Sequence, residues 1–150
     1  MTRKSAEQLL LTDKEVLLLR TGLLEWIGPA RSTEEFAVAM GFTSAGELTG
    51  QCSSIQSALT AGEPLDSMDW VRALLSTEVA FASDVVGSGV EWATTTGWSD
   101  EVTIKVLRSI QRKLVRTVAP LVGNGLGRRP SRSSFQQRHH EEPLTKEDIN

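Results

Sequence analysis

The chain has no tyrosine and only one cysteine, and aromatic residues make up just 5% of its 150 positions. Strands favour aromatic and β-branched side chains, so this scarcity argues against a sheet-based fold. The lone Cys52 excludes an internal disulfide, and nothing points to an oxidising compartment. Long apolar runs are also missing. Arg3 and Lys4 precede only Leu9-Leu10-Leu11 before Thr12 and Asp13, too short a run for the core of a signal peptide. No stretch approaches the ~20 apolar residues of a spanning helix. The expected setting is the cytoplasm, with no membrane partner. Arg outnumbers Lys by eleven to five, a bias that suits a GC-rich bacterial genome.

What is present is a 39% apolar chain of single-domain length, able to bury about two-thirds of its unfolded surface. Its apolar residues recur at three and four, which predicts helices. The first starts at Thr12, with Glu15 completing a capping box, and carries Val16, Leu19, Leu23 and Trp26 or Ile27 to a stop at Gly28-Pro29. The second starts at Ser32 with Glu35 three residues on, and ends at Gly41. The third opens at Ser44 with Glu47, has a seam of Leu48, Cys52, Ile55 and Leu59, and closes at Gly62 and Pro64. The fourth runs from Asp66 or Ser67 through Val71, Leu74, Leu75, Val79, Ala82, Val85 and Val86 to the break at Gly87-Ser88-Gly89. The fifth starts at Ser99 or Asp100 with two acids at its positive end, carries Leu107, Ile110, Leu114 and Val118, and ends at Pro120 and Gly123.

After Gly123 the apolar content collapses to Leu126, Phe135, Leu144 and Ile149 among Gly, Ser, Arg, Gln and Glu. So few apolar groups cannot offset the entropy of ordering the segment. The reading is all-α: a compact orthogonal bundle of about five short helices over residues 1–123, followed by a disordered tail, basic then acidic, over 124–150.

A net charge of −3 conceals strong segregation. Residues 1–101 hold six Lys or Arg against fifteen acids, residues 102–140 hold nine Lys or Arg and no acid, and residues 141–150 hold one Lys and four acids. In the fifth helix Lys105, Arg108, Arg112 and Arg116 fall at steps of three, four and four, so they share one face opposite the core stripe. Arg128, Arg129, Arg132 and Arg138 continue the run. Between Arg31 and Arg72 there is no cation and there are six acids. The basic face is therefore either an internal partner of that acidic segment, a solvated face, or a docking surface whose charges steer a partner.

Chemistry-bearing constellations are sparse. The second and third helices have the small, turn and apolar residues of a helix-turn-helix in Ala37, Gly41 and Phe42. A reading helix there would present Ser44, Ala45, Glu47, Thr49 and Gln51 within an acidic stretch, which repels phosphates; a structural hairpin is the simpler reading. The loop Gly87–Trp98 combines three glycines, four hydroxyls, Trp92 and Trp98, but lacks the Gly-Lys-Ser/Thr ending of a phosphate loop. Its tryptophans either cap the core, with threonines bonding freed backbone, or anchor a partner. Cys52 sits on an apolar seam and reads as a core residue. His139 and His140, beside Glu141 and Glu142, lie in the tail, where no closed metal or catalytic site can be preorganised. Arg20, Glu25 and Glu78 interrupt apolar faces and read as flank residues or paired charges.

No catalytic residue, metal site or cofactor is expected. The leading expectation is a non-enzymatic protein-interaction module, a regulator, adaptor or antitoxin/immunity-like binder. It would use Lys105, Arg108, Arg112 and Arg116 with Trp92 and Trp98 to bind another protein. Sequence-nonspecific nucleic-acid binding through the fifth helix and tail is the alternative, and an enzyme with a pocket at the Gly/Thr-rich loop is a weaker one. Homo-oligomerisation stays open.

Overall fold

A computed structural model describes residues 2–28 and 30–125, with side chains described as far as Thr117. The described residues form six α-helices: α1 Asp13–Glu25, α2 Glu34–Ala39, α3 Ala45–Ala61, α4 Ser67–Ala82, α5 Trp92–Thr96 and α6 Asp100–Gly125. One 3₁₀ turn, Gly89–Glu91, precedes α5. The described residues contain no strand, only an isolated antiparallel bridge between Lys4 and Leu65. The fold is the all-α bundle that the spacing predicts.

Local chemistry sets most of the helix starts. Thr12 accepts the Glu15 N–H while the Glu15 carboxylate accepts the Thr12 N–H at 2.9 Å, a complete capping box. Ser44 and Asp66 cap α3 and α4 by accepting the N–H groups of Glu47 and Asp69. Glu47 turns outward from the expected box and binds the Thr43 N–H and hydroxyl at 2.6 and 2.8 Å. The α2 cap is Thr33, not Ser32, because its hydroxyl is the one that accepts the Phe36 N–H. Gly62 ends α3 with a left-handed φ of 70°.

The core lies where α1 crosses α4. At the crossing, a Cβ on Gly22 would sit 2.4 Å from Thr77 Oγ1 and 2.7 Å from Thr77 Cα, so nothing larger than glycine fits. Around it Leu18, Leu19, Leu23, Trp26, Trp70, Ala73, Ala80, Ile110 and Leu114 are fully enclosed, or nearly so. α3 packs on α1 and α4, and α6 packs on the same two helices. α4 turns Ser76 toward Cys52 of α3 and Glu78 toward Gln111 of α6. The α1–α4 pair thereby separates the acidic segment from the basic helix.

Besides the shifted α2 cap and the short α5 inside the expected Gly87–Trp98 loop, three larger differences from expectation stand out. The fourth helix stops at Ala82 rather than Val86, because Gly87 folds back onto the carbonyls of Val79 and Ala80 and Ser88 N–H bonds Ala80 O at 2.7 Å. Ser83 Oγ accepts the N–H groups of Val85 and Val86, which satisfies the chain it releases. The sixth helix keeps helical backbone past Pro120 and Gly123 to Gly125. The expected disordered tail otherwise falls on residues outside those described, as do His139, His140 and the four tail arginines; the side chain of Val118 is likewise outside them.

The third difference is at the N-terminus, where the sequence suggested no element. Ser5 and Gln8 cap each other's N–H groups at 2.9 and 3.2 Å and start a single turn. Leu10 N–H to Glu7 O and Leu11 N–H to Ala6 O close it in the Schellman pattern. That pattern requires a left-handed residue, and Leu10 occupies it at φ 59°, where a Cβ costs about 1–2 kcal/mol. The turn is held by the Lys4–Leu65 bridge, by Trp70 Nε1–H donating to Lys4 O at 3.1 Å, and by buried Leu9.

Two glycine substitutions test this packing. Gly22→Ala forces backbone apart at the crossing and should destabilise by about 3 kcal/mol, the upper part of the range for overpacking. Gly50→Ala, inside α3 with open space around it, should stabilise by roughly 0.5–1 kcal/mol through helix propensity. Urea unfolding of both variants is the measurement. Equal effects at the two sites would disprove the close crossing.

Candidate functional site

α6 is amphipathic at helical spacing, with Leu107, Ile110 and Leu114 facing the core. Its opposite face carries Lys105, Arg108, Arg112 and Arg116, all exposed. Lys105 pairs with Glu101 on its own helix at 3.0 Å, and Arg108 donates to Gln111 at 2.9 Å. Among the described residues none of the four pairs with an acid of the 32–71 segment. The internal-docking reading of the basic face therefore has no contact behind it. The Lys105–Glu101 pair is fully solvated and contributes little to stability. Ile104 and Val115 lie along one flank of the cations and are 48% and 54% exposed, so the basic stripe is bordered by apolar groups.

The two tryptophans of the glycine-rich segment part company. Trp92 is fully buried, meets Phe81 edge-on at 5.6 Å and donates its indole N–H to Thr103 Oγ1 at 2.9 Å. It fills the core and offers a partner no surface in this conformation. Thr96 bonds Trp92 O at 2.6 Å and receives the Trp98 N–H at 3.1 Å, which is the freed-backbone role foreseen for the threonines. Trp98 is half-buried, packs on the core edge and has Lys14 Nζ 5.9 Å above its ring. It is the member of the pair with surface to offer, at the entry to α6 rather than along the basic stripe.

Three carboxylates of α1 and α4 have partners on other elements. Glu78 accepts from Gln111 Nε2 at 2.7 Å. Glu25, buried at the end of α1, accepts from the hydroxyls of Ser88 and Thr95 and so ties the 83–99 connection to α1. Glu15 is nearly enclosed and receives Ser109 Oγ at 2.5 Å and Lys113 Nζ at 2.7 Å besides its cap bond. Burial pushes its carboxyl up, but the bonds from Lys113, Ser109 and Thr12 together outweigh that and hold it below the ordinary glutamate value. Lys113 would be assigned to a solvent flank from its place beside the apolar stripe; the structure makes it the cation that neutralises α1. The only sign in the sequence is the four-residue step from Ser109 to Lys113, which puts two donors on one side of α6.

Cys52 is buried as expected, 3.8 Å from Ser76 Oγ, and burial pushes its thiol up. A raised, enclosed thiol is a poor nucleophile. Among the described residues no group of three or more His, Cys, Asp or Glu could hold a metal ion, and no helix is long and apolar enough to cross a membrane. No family model, curated protein or solved structure matches the chain.

The Glu15 site sets a pH dependence. A carboxyl held below its ordinary value stabilises the fold in full above the unfolded pKa, ~4.3 for glutamate, and loses that contribution as pH falls through the folded value. The stability difference between the natural chain and Glu15→Gln should thus be largest near neutral pH and shrink on acidification. Lys113→Ala should cost about 2 kcal/mol at pH 7, since it strands a buried carboxylate on hydroxyl and backbone donors alone. A cost within about 0.5 kcal/mol, normal for a solvated lysine, would show that the pair does not form.

Proposed function

We propose that the chain is a non-enzymatic interaction module whose α6 face docks an acidic region of another protein. The observation that carries this reading is the unshielded basic stripe, Lys105, Arg108, Arg112 and Arg116, with Ile104 and Val115 exposed along its flank. Arginines bordered by exposed apolar side chains suit protein interfaces, where a few such residues supply most of the affinity. A phosphate backbone needs the charges but not the apolar groups. The excess of acids over residues 1–101 would also repel nucleic acid from the rest of the molecule while leaving α6 free to steer an acidic protein. Trp98 can serve as a peripheral contact; Trp92 has no part in it. A cytoplasmic regulator, adaptor or immunity-type binder of bacterial origin fits this reading.

The test is the double charge reversal Arg108→Glu/Arg112→Glu in the full chain. It should leave the melting temperature within about 2 °C of the natural chain's, because neither guanidinium holds the fold together. It should also abolish capture of the acidic partner from the native cell and slow association with that partner once isolated. If the reversals lower the melting temperature and leave binding untouched, the face is a structural element. If the natural chain binds generic duplex DNA with an affinity that drops steeply with salt, the nucleic-acid reading takes its place.

A further inference from the structure

A cavity of about 780 Å³ opens between the N-terminal turn, α1 and the C-terminal end of α3. Its wall is apolar where Leu10, Leu11, Val16 and Leu59 line it, and Arg20 lines it from the middle of α1. The volume is within the range of small-molecule sites, and the wall is about equally polar and apolar, which suits a ligand with a polar head and a hydrocarbon body.

Two independent features mark it as built for an occupant. Arg20 is half-buried, its Nε is enclosed without a hydrogen-bond partner, and among the described residues no carboxylate forms an ion pair with it. Buried polar groups are nearly always satisfied, and a guanidinium is shaped to receive a planar two-oxygen anion. The second feature is Leu10. It holds the strained left-handed position of the N-terminal turn, where glycine would be at ease, yet its side chain is 77% exposed on the cavity's lip. A strained residue whose side chain contributes nothing to the core is a mark of function rather than packing.

We propose that this cavity binds a small amphipathic monocarboxylate, its carboxylate on Arg20 and its hydrocarbon against Leu10, Leu11, Val16 and Leu59. The charge of the anion is limited by Glu7 and Asp13, which line the same cavity and are exposed. Their two negative charges face water and are screened, so a single charge buried on Arg20 is tolerated, whereas a phosphate dianion meets greater repulsion. The site is separate from the basic face of α6, with which it shares no residue.

Isothermal titration of the full chain with decanoate, decanol and decyl phosphate tests the assignment. Decanoate should bind, decanol should bind more weakly for want of the anion, and decyl phosphate should not exceed decanoate. Arg20→Gln should weaken decanoate at least about tenfold, the usual worth of a charge-assisted contact. Should Arg20→Gln fail to fold, Leu10→Gly decides: it relieves the left-handed strain, so it should raise the melting temperature while weakening decanoate. No binding of decanoate, equal binding of decanol, tighter binding of decyl phosphate, or unchanged affinity in either folded variant would overturn the proposal.

Discussion

The arrangement of this molecule hangs on how closely α1 and α4 can cross. Gly22 against Thr77 brings backbone to backbone, and Thr77 turns its hydroxyl onto Ala73 O of its own helix at 2.8 Å, so the junction needs no water. Ser76, the residue before Thr77 in α4, is smaller still and as buried. Its carbonyl receives the Trp26 indole at 2.8 Å and its hydroxyl meets Cys52. Small polar residues in the middle of α4 therefore let three helices approach one another, and the large groups fill the space on either side. Trp26, in turn, stacks on Phe36 at 4.9 Å and ties the short α2 to the end of α1.

Indole donors extend this arrangement outward. Each of the three enclosed tryptophans finds an acceptor on a different element: Trp26 on α4, Trp70 on the N-terminal segment, Trp92 on α6. A buried indole N–H without an acceptor would cost about as much as a lost hydrogen bond, so each ring fixes the position of the piece it bonds. Through Trp70 the N-terminal turn is pinned beside α3, which is what creates the Arg20 cavity. Through Trp92 the glycine-rich segment becomes part of the core.

Periodicity and caps made much of this legible. Thr12, Ser44, Asp66 and Gly62 mark helix ends because their own side chains or backbone do the capping, a local matter that sequence records. The basic face of α6 was legible for the same reason, since steps of three and four fix a face without reference to anything else. What escaped depends on distant partners. For Trp92 the sequence left core-capping and partner-anchoring both open, and Phe81 and Thr103, distant in the chain, decide it by enclosing the ring. The end of α4 was misplaced because Val85 and Val86 continue the apolar pattern, while the tight return at Gly87 decides the outcome. The turn at Ser5–Leu10 is hidden by its leucine: a glycine at position 10 would have announced the stop.

Lys113 and Arg112 show how one helix divides its charge. Adjacent in sequence, they lie about 100° apart around α6, and their fates differ: Lys113 reaches α1 to neutralise Glu15, while Arg112 faces water. Of the other enclosed or partly enclosed carboxylates of α1 and α4, Asp69 pairs with Arg72 of its own helix, while Glu25 and Glu78 are met by hydroxyls and an amide, which stabilise a carboxylate without adding a cation. The interior thus draws on a single lysine of α6. The four cations of the opposite face are in excess of what the fold requires. Concentrating like charges on one helix works against the compact state through mutual repulsion, with Glu101 alone to relieve Lys105. That unused surplus is the ground on which we propose an acidic partner outside the molecule for this face.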